Sequence, residues 1–570
     1  MVDETPERAC DVIMKGGITS GVVFPGAVKR LAQTYAFRSI GGTSAGAIAA
    51  AVTAAAEINR PDGFAALDRL ADDLKTRLPT LFQPAPEARP LFALIKHGVL
   101  ERRYWRAFWS LLFHHGQFVT VGAMIALVLG LFSAAIGGGP FGVVFALIVF
   151  AVATVGLSAW SVVANASDVL RDNDWGLCPG PTQEDAESAG LSDWLAEAIE
   201  EAAGRAPPPP PENPDDPPAL RGPLTFGDLR RAARPVELAM TTTNLSLRRP
   251  SRLPDLASRE LFFDEGEFRR VMPGWVVDWM VGRPGAEAGP APGLWRLPEP
   301  DDLPVVVAAR MSLSFPLMIS AVPLHAMDEA DDVLRRMLFS DGGISSNFPI
   351  HFFDALLPSR PTFGIALEPA SVVKKAGRVR LPIEERPDPF MSFAEPAGPL
   401  GFVGLVLDTM QEWQDRLQTS LPGYRERVVE IYLKEGEGGY NLDMAPELIA
   451  AMSELGEDAA ALLAGGGPGD FDFDDHRWRR FLVAYARLED TLAKSASRWT
   501  GEGGAESFAD FVKRVSKDPK SFGRTPDDVS RRMIARFDAL MRHVAGWDGP
   551  LAPQADIPEP PSDLRITPKA

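Results

Sequence analysis

A serine between two glycines lies at a predicted turn from a strand into a helix. The segment is Gly42-Thr43-Ser44-Ala45-Gly46, which follows the strand-like residues 35–40 and precedes an alanine-rich run, residues 47–57, of strong helix propensity. In that context a G-x-S-x-G pattern presents a nucleophile, because the glycines allow a tight backbone and the turn lifts the serine hydroxyl to a helix N-terminus, where negative charge is stabilised. A turn of small residues before a helix has the same composition, so other residues must decide.

Two further segments carry groups that ester hydrolysis needs. The buried strand predicted at residues 10–15 runs into Gly16-Gly17-Ile18-Thr19-Ser20-Gly21, whose backbone N–H groups can bind a phosphate or an oxyanion. The spacing matches neither the dinucleotide-binding pattern nor the P-loop. Downstream, Asp341-Gly342-Gly343 follows a strand-like segment and places a carboxylate where a sheet presents catalytic groups. Each of these two segments, taken alone, also fits an ordinary turn.

Together and in this order, the three segments resemble the patatin-like phospholipases. That family has a glycine-rich oxyanion loop, a G-x-S-x-G serine and, much later, an Asp-Gly-Gly or Asp-Gly-Ala. Residues 224–229, 237–244 and 308–316 are also similar to segments of the family, so the resemblance covers residues 11–350. One departure is that the family's loop usually reads G-G-G-x-R-G, whereas residues 16–21 contain no arginine. An oxyanion hole needs only backbone donors, so we expect activity to survive this change.

The resemblance implies a Ser-Asp dyad rather than a Ser-His-Asp triad, with Ser44 as the nucleophile and Asp341 as the base. The implied oxyanion donors are the N–H groups of Gly16, Gly17 or Ile18, with the N–H of Ala45 as a further donor. The glycines that support the two motifs are Gly42, Gly46, Gly342 and Gly343. His351 lies close to the acid in sequence and is the rival base, to be tested by comparing His351→Ala with Asp341→Asn.

The resemblance also implies the fold class, an α/β protein with a three-layer α/β/α sheet and helices on both faces. We assign residues 10–350 to this hydrolase domain, interrupted by an insertion at 116–165 and a proline-rich linker at 206–218. Residues 351–549 are predicted to form a mixed, mainly helical C-terminal region, and the proline-rich tail 550–570 is predicted to be disordered. Residues 62–81 have the apolar spacing of an amphipathic helix.

The insertion contains a long uncharged stretch. No Asp, Glu, Lys or Arg occurs between Arg106 and Asp168, and residues 118–136 and 141–160 each have the length of a bilayer-spanning helix. Soluble helices of this length usually show a polar face, and arginines and tryptophans precede the first segment as membrane rules expect. We therefore expect an integral membrane hairpin that keeps the catalytic domain on the cytoplasmic side. The alternative is a buried helical hairpin within a large soluble core.

Composition excludes some partners. The chain of 570 residues has a net charge of −18 and a pI near 5.0, which argues against nucleic acid as a partner and against recruitment to anionic lipid by bulk charge. Two cysteines are too few for a disulfide framework, and the short acidic N-terminus is not a signal peptide. We expect no metal and no other cofactor, and the sequence indicates no protein partner.

These observations predict a membrane-anchored serine acyl hydrolase that cleaves the acyl esters of phospholipid or of another acyl lipid. Two alternatives stay open at this point. One is a non-catalytic membrane scaffold that retains the fold, and the other is an esterase or thioesterase that acts on soluble acyl substrates.

Overall fold

A computed structural model describes the chain over the ranges 6–17, 19–96, 124–125, 127–128, 131–132, 139–206, 222–256, 260–328, 330–346, 348–369, 377–383, 409, 421–434, 436–438, 441–501, 506–517, 525–555 and 557–558. Its strands are β1 (Arg8–Gly16), β2 (Tyr35–Ser44), β3 (Gly176–Cys178), β4 (Glu237–Asn244), β5 (Arg249–Leu253), β6 (Phe262–Asp264), β7 (Leu294–Arg296), β8 (Leu317–Ile319), β9 (Val322–Asp328), β10 (Val333–Asp341), β11 (Thr362–Pro369), β12 (Val379–Arg380) and β13 (Val428–Leu433).

The helices lie between and after these strands. They are α1 (Phe24–Ala32), α2 (Ala45–Ile58), α3 (Asp62–Leu81), α4 (Arg89–Leu94), α5 (Gly139–Asp172), α6 (Leu191–Ala202), α7 (Phe226–Arg231), α8 (Glu265–Val271), α9 (Gly274–Gly282), α10 (Val305–Ser312), α11 (Pro446–Ala464), α12 (Phe473–Thr500), α13 (Phe508–Val515) and α14 (Asp527–Ala545).

A mixed sheet forms the centre of the α/β fold. Its strand order over the described residues is β12-β13-β11-β1-β2-β4-β10-β9-β6-β7, with β5 paired to β4, while β3 and β8 pair separately. The strands from β13 to β4 run parallel, whereas β10 is antiparallel to β4 and β9. β1 is buried from Cys10 to Gly16, as expected of an interior parallel strand covered on both faces.

The helix predicted at residues 62–81 is confirmed as α3, with the same bounds. It packs against α2 and α6, and α2 in turn packs against β1 and β2. The buried leucines of α3 recur at the spacing of one helix face, which is why the segment forms an amphipathic helix rather than a strand: Leu67, Leu70, Leu78 and Leu81.

The sheet continues beyond residue 350, where the sequence predicted a domain boundary. β11 pairs with β1 in the middle of the sheet, and β13 and β12 follow on its far side. The strands of one sheet therefore come from both predicted regions. Apart from residue 206, the linker predicted at 206–218 lies outside the described residues, as does most of the tail at 550–570.

The predicted membrane hairpin is not supported by the structure. Most of its first span, residues 118–136, lies outside the described residues, and the second, residues 141–160, falls within α5. Gly139 and Pro140 begin α5, because proline is well tolerated in the first turn of a helix. Among the described residues, no helix is both long enough and apolar enough to cross a bilayer.

Candidate active site

Ser44 lies at a sharp turn between β2 and α2. Its backbone angles are φ 56° and ψ −128°, a left-handed conformation that a side chain rarely adopts outside strained functional turns. The side chain is buried, with 4% of the residue exposed. This is the geometry of a nucleophile elbow, in which the serine is displayed at the start of the helix that follows the strand.

The two glycines of the motif are required by close backbone contacts. A Cβ atom at Gly42 would lie 2.2 Å from the carbonyl oxygen of Gly46, and one at Gly46 would lie 2.0 Å from that of Met14 on β1. A real Cβ atom does not come this close to a carbonyl oxygen, so both positions require glycine. The elbow therefore depends on the packing of α2 directly against β1.

Strand register brings Asp341 level with Ser44. Asp341, at the end of β10, pairs with Thr242 of β4. On the other side of β4, Gly42 pairs with Met240, so Ser44, two residues further on, is also level with Thr242. The sequence predicted Asp341 at the end of a strand, and in the structure that strand, β10, is antiparallel to β4. Register across β4, rather than strand direction, places the carboxyl group near the serine.

Burial raises the pKa of the Asp341 carboxyl to about 7, although the nearby Ser44 hydroxyl and the Gly343 N–H favour the ionised form and lower it. The Gly343 N–H donates to Oδ1 over 2.7 Å. Oδ2 is buried and has no hydrogen-bond partner in the described part of the chain. One oxygen of the carboxylate is thus fixed by the backbone.

Gly342 and Gly343 shape the turn that follows the acid. A Cβ atom at Gly342 would lie 2.0 Å from the carbonyl oxygen of Thr241, so only glycine fits there. Gly342 and Gly343 begin a short 3-10 helix, Gly342–Ile344, and the Asp341 side chain caps it through Gly343. The same contact that holds the carboxylate also ends β10.

Two serines that sequence analysis did not assign contact the nucleophile and the acid. Ser312 contacts Ser44, and Ser314 contacts Asp341. The N–H of Ser44 donates to Ser312 Oγ over 3.3 Å, and Ser312 Oγ donates to the carbonyl of Thr241 over 2.6 Å. The N–H of Asp341 donates to the carbonyl of Ser314 over 2.9 Å. The end of α10 therefore holds the backbone of both Ser44 and Asp341. The only signal in the sequence was the similarity of residues 308–316 to a segment of the family.

The predicted oxyanion residues lie partly within the described chain. Gly16 ends β1 directly opposite Ser44 in the parallel pairing, and Ala45 is the buried first residue of α2. Gly17 follows Gly16, and its carbonyl accepts a hydrogen bond from Ser20 Oγ over 3.0 Å, which closes the turn. Ile18 lies outside the described residues. Gly16 and Ala45 are next to the nucleophile, and the assignment of all four as oxyanion donors stays a prediction.

The histidines near the acid have other surroundings. His351 lies in the 3-10 helix Ile350–Phe352 with its ring 4.9 Å from that of Phe352, and burial and Arg252 lower its pKa. His325 Nε2 lies 2.9 Å from a carboxylate oxygen of Glu267. Neither histidine is among the groups that shift the pKa of Asp341. Over the described residues, no group of three His, Cys, Asp or Glu side chains is arranged to hold a metal ion.

Residues 12–145 match the family model of the patatin-like phospholipases. This match identifies the class of the protein: it is a lipid ester hydrolase with a patatin-like phospholipase domain. The chain is 35% identical over 638 aligned residues to the RpoH suppressor of Rhizobium meliloti (strain 1021), and the alignment covers 96% of both chains. It belongs to the same family as that protein.

Two solved structures also align along most of the chain. VipD from Legionella pneumophila aligns over 95% of this chain and 86% of its own, with 13% identity and a TM-score of 0.32. The type III effector protein ExoU aligns over 96% of this chain and 78% of its own, with 12% identity and a TM-score of 0.28. TM-scores this low do not show a common fold or a common activity.

Proposed function

We propose that the protein hydrolyses acyl esters of phospholipid or of another acyl lipid, with Ser44 as nucleophile and Asp341 as general base. One observation carries the proposal: the hydroxyl of a serine in a strained elbow lies beside a buried carboxyl whose pKa is raised to about 7. A base is most effective when its pKa is near the pH of the reaction. A carboxyl with an ordinary pKa would be a much weaker acceptor for the proton of a hydroxyl.

In the first step, Ser44 Oγ attacks the ester carbonyl carbon while Asp341 accepts the hydroxyl proton. Among the described residues, Oδ2 is the carboxylate oxygen without a hydrogen-bond partner. The carbonyl oxygen becomes an oxyanion, which the N–H groups of Gly16, Gly17 or Ile18 and of Ala45 stabilise. Removal of one such donor costs on the order of 10²–10³ in rate in other hydrolases.

The intermediate then collapses and the bond to the alcohol breaks. The departing alkoxide takes the proton from Asp341, so the carboxylate is regenerated and the acyl group stays on Ser44. In the second half of the reaction, water attacks the acyl carbonyl and gives its proton to Asp341. That proton returns to Ser44 Oγ as the fatty acid leaves. The cycle is balanced without a second base.

The chemistry is tested by fatty acid release from phospholipid, lysophospholipid, triacylglycerol and acyl-CoA by purified protein. We expect wild type to release fatty acid from the lipid esters, and Ser44→Ala and Asp341→Asn each to abolish release while the fold is retained. Equal release by Ser44→Ala would overturn the proposal and favour a scaffold. Preference for acyl-CoA would favour the soluble-substrate alternative. Loss in His351→Ala but not in Asp341→Asn would transfer the role of base to the histidine.

We also propose that the protein is held at the membrane with its catalytic domain on the cytoplasmic side. The support is the absence of charged residues between Arg106 and Asp168 and the arginines that precede this stretch. In addition, five large apolar side chains of α5 are each at least 55% exposed: Val144, Phe145, Ile148, Val152 and Trp160.

The location is tested by fractionation of the full-length protein after lysis without detergent. We expect the protein in the membrane pellet, extractable by detergent but not by high salt or alkaline carbonate. Recovery of intact, active protein in the supernatant would contradict the anchor. Such a result would leave the hydrolase proposal unchanged, because neither Ser44 nor Asp341 lies in the uncharged stretch.

A further inference from the structure

The arginine of helix α10 is buried without a carboxylate partner. Arg310 has no exposed surface, and over the described residues no acidic oxygen lies within salt-bridge distance of its guanidinium group. Burial lowers the pKa of Arg310 to about 9, while Cys178 and Asp174 raise it, so the side chain stays a cation at neutral pH. Burial of a cation without an anion is costly, which indicates a role that an apolar side chain of the same size cannot fill.

The guanidinium group of Arg310 joins three segments of the chain. Nη1 donates to Ser314 Oγ over 2.7 Å, and Nη2 donates to the carbonyls of Pro179 over 2.7 Å and of Ser320 over 3.0 Å. Pro179 follows β3 and Ser320 follows β8, the two strands that pair apart from the main sheet. Because the donors of arginine point in fixed directions within one plane, these contacts hold the loop after α10 in one place relative to that pair of strands.

Ser314 connects Arg310 to the proposed general base. The carbonyl of Ser314 accepts hydrogen bonds from the N–H of Asp341 over 2.9 Å and from the hydroxyl of Ser340 over 2.8 Å. The Ser314 hydroxyl also donates to the carbonyl of Arg310, one helical turn earlier, over 3.0 Å. All four residues are buried, so a group that loses its partner here stays unsatisfied. A shift of Ser314 therefore moves the backbone at the end of β10.

We infer that Arg310 is a positioning residue for the general base. It fixes Ser314, Ser314 fixes the backbone of Asp341, and the carboxylate is thereby kept beside the Ser44 hydroxyl. The inference rests on the proposed function and adds to it a residue that acts through Ser314 rather than on the ester. A role in folding alone would lower stability and leave the chemistry of each folded molecule unchanged, so the two roles differ in what a substitution changes.

The experiment compares wild type, Arg310→Lys, Ser314→Ala and the double variant on p-nitrophenyl butyrate, a soluble ester, between pH 5 and pH 9. Active sites are counted by labelling to completion with a fluorophosphonate, from which the Ser44 hydroxyl displaces fluoride, so that kcat is expressed per intact site. Lysine keeps the charge but lacks the planar fork that makes the three contacts, and Ser314→Ala removes one contact alone. Thermal unfolding reports the stability of each variant.

Arg60→Lys is the matched control. Arg60 is also buried, and its guanidinium group donates to the carbonyls of Ala32 over 2.9 Å and of Tyr35 over 3.1 Å. Tyr35 begins β2 and Ser44 ends it, so this arginine contacts the end of the strand that is far from the nucleophile. We expect Arg60→Lys to lower the unfolding temperature and to keep the kcat per labelled site and the pH midpoint of wild type.

We expect Arg310→Lys to lower kcat per labelled site by about 10–100-fold with KM little changed, because a displaced base is no longer aligned with the hydroxyl. Ser314→Ala should lower it by about tenfold, toward the lower end of that range. The double variant should be no slower than Arg310→Lys, since the two residues act through one contact. In each variant the midpoint of the pH profile should fall by about one unit, because a carboxyl that leaves its buried position regains contact with water.

Unchanged kcat per labelled site in Ser314→Ala, or in a folded Arg310→Lys, would overturn the inference and leave Arg310 with a structural role. The same follows if Arg60→Lys shows an equal loss per site, or if the losses of the two single variants multiply in the double variant. If Arg310→Lys does not fold, Ser314→Ala decides alone, through its kcat and its pH midpoint. Failure of the proposed function looks different: wild type would then release no nitrophenol above the Ser44→Ala background, and the fluorophosphonate would not label Ser44.

Discussion

The carboxyl of Asp341 must be ionised before it can accept the proton of Ser44. Because burial raises its pKa to about 7, we expect kcat/KM to increase with pH on a slope of one decade per unit and to level off above about pH 7. The measurement is a pH profile of a soluble short-chain ester between pH 5 and pH 9. A midpoint near pH 4 would contradict a buried base and would indicate a carboxyl with its ordinary pKa.

The same pKa has a consequence for stability. An aspartate that titrates at 3.8 when unfolded and about 7 when folded binds more protons in the folded state between these values, so its contribution to stability decreases as pH rises through this window. Asp341→Asn removes this cost. Relative to wild type, the variant should therefore gain about 3–4 kcal/mol in free energy of unfolding between pH 4 and pH 8. Denaturant unfolding of both proteins at the two pH values measures the difference. An equal difference at both pH values would contradict it.

Ser312 is predicted to position the nucleophile rather than to react. Ser312→Ala removes the acceptor for the Ser44 N–H and the donor to the Thr241 carbonyl, both of which are buried. We expect kcat to fall about 10–100-fold with KM little changed, since small misplacements of a catalytic group have such effects, and unfolding free energy to fall by about 1–3 kcal/mol.

Thr53→Val is the matched control for Ser312→Ala. The Thr53 hydroxyl is equally buried but has no partner among the described residues, so its removal breaks no hydrogen bond. Steady-state kinetics on the same ester compares the two variants. If Ser312→Ala retains the kcat of wild type while its stability falls, the hydroxyl has a structural role only.

At the scale of elements, the elbow depends on the distance between α2 and β1. Gly46→Ala would place a Cβ atom 2.0 Å from the carbonyl oxygen of Met14, so α2 has to move away from the strand. We expect a loss of about 1–3 kcal/mol or more in unfolding free energy and loss of turnover. Gly274→Ala, at the start of α9, is the control, since the nearest atom to its Cβ position is 3.8 Å away. Thermal unfolding and ester hydrolysis measure both effects; a fully active Gly46→Ala would show that the contact can relax.

Local patterns in the sequence predicted the parts of the site that a strand, a turn and a helix form by themselves. The turn at Gly16, the elbow at Ser44 and helix α3 are of this kind, because glycine spacing and apolar periodicity act over a few residues. The contacts of Ser312 and Ser314 were not predictable, since they join different elements: Ser312 contacts Ser44, 268 positions away, and Ser314 contacts Asp341 at the end of β10. The same holds for the packing of α6 against α2 and α3. Nothing in its local sequence indicates which helices it will meet.

At the scale of the whole molecule, the region after residue 350 packs closely against the catalytic elements. Asp354 accepts hydrogen bonds from Arg427 over 2.8 Å and from Arg480 over 3.1 Å, so the turn just before β13, and helix α12, are tied to the segment that follows Asp341. The sequence predicted a boundary at 350 because the motifs that resemble the family end there. Motifs report chemistry, however, whereas membership of a sheet depends on hydrogen bonds between strands that are distant in sequence.

Helix α11 packs against α1, immediately after the glycine-rich loop. A Cβ atom at Gly456 would lie 2.1 Å from the carbonyl oxygen of Val23, at the junction of that loop with α1, and one at Gly26 would lie 2.2 Å from the carbonyl of Ser453. The two helices thus approach each other at glycines on both sides. If Gly16 and its neighbours stabilise the oxyanion, their position depends on a helix more than 400 residues later in the chain.

Gly456→Val should therefore reduce activity although no catalytic group is changed. The added side chain pushes α1 and the loop away from α11, and a shift of an oxyanion donor by an ångström or less lowers kcat by up to about 100-fold. Ala451→Val on the same helix is the control, because Ala451 is exposed. Both variants are assayed on a short soluble ester, with fluorophosphonate labelling of Ser44 to count intact sites. Equal kcat in the two variants, at equal labelling, would show that the loop keeps its geometry without α11, and that the C-terminal region contributes to stability but not to the reaction.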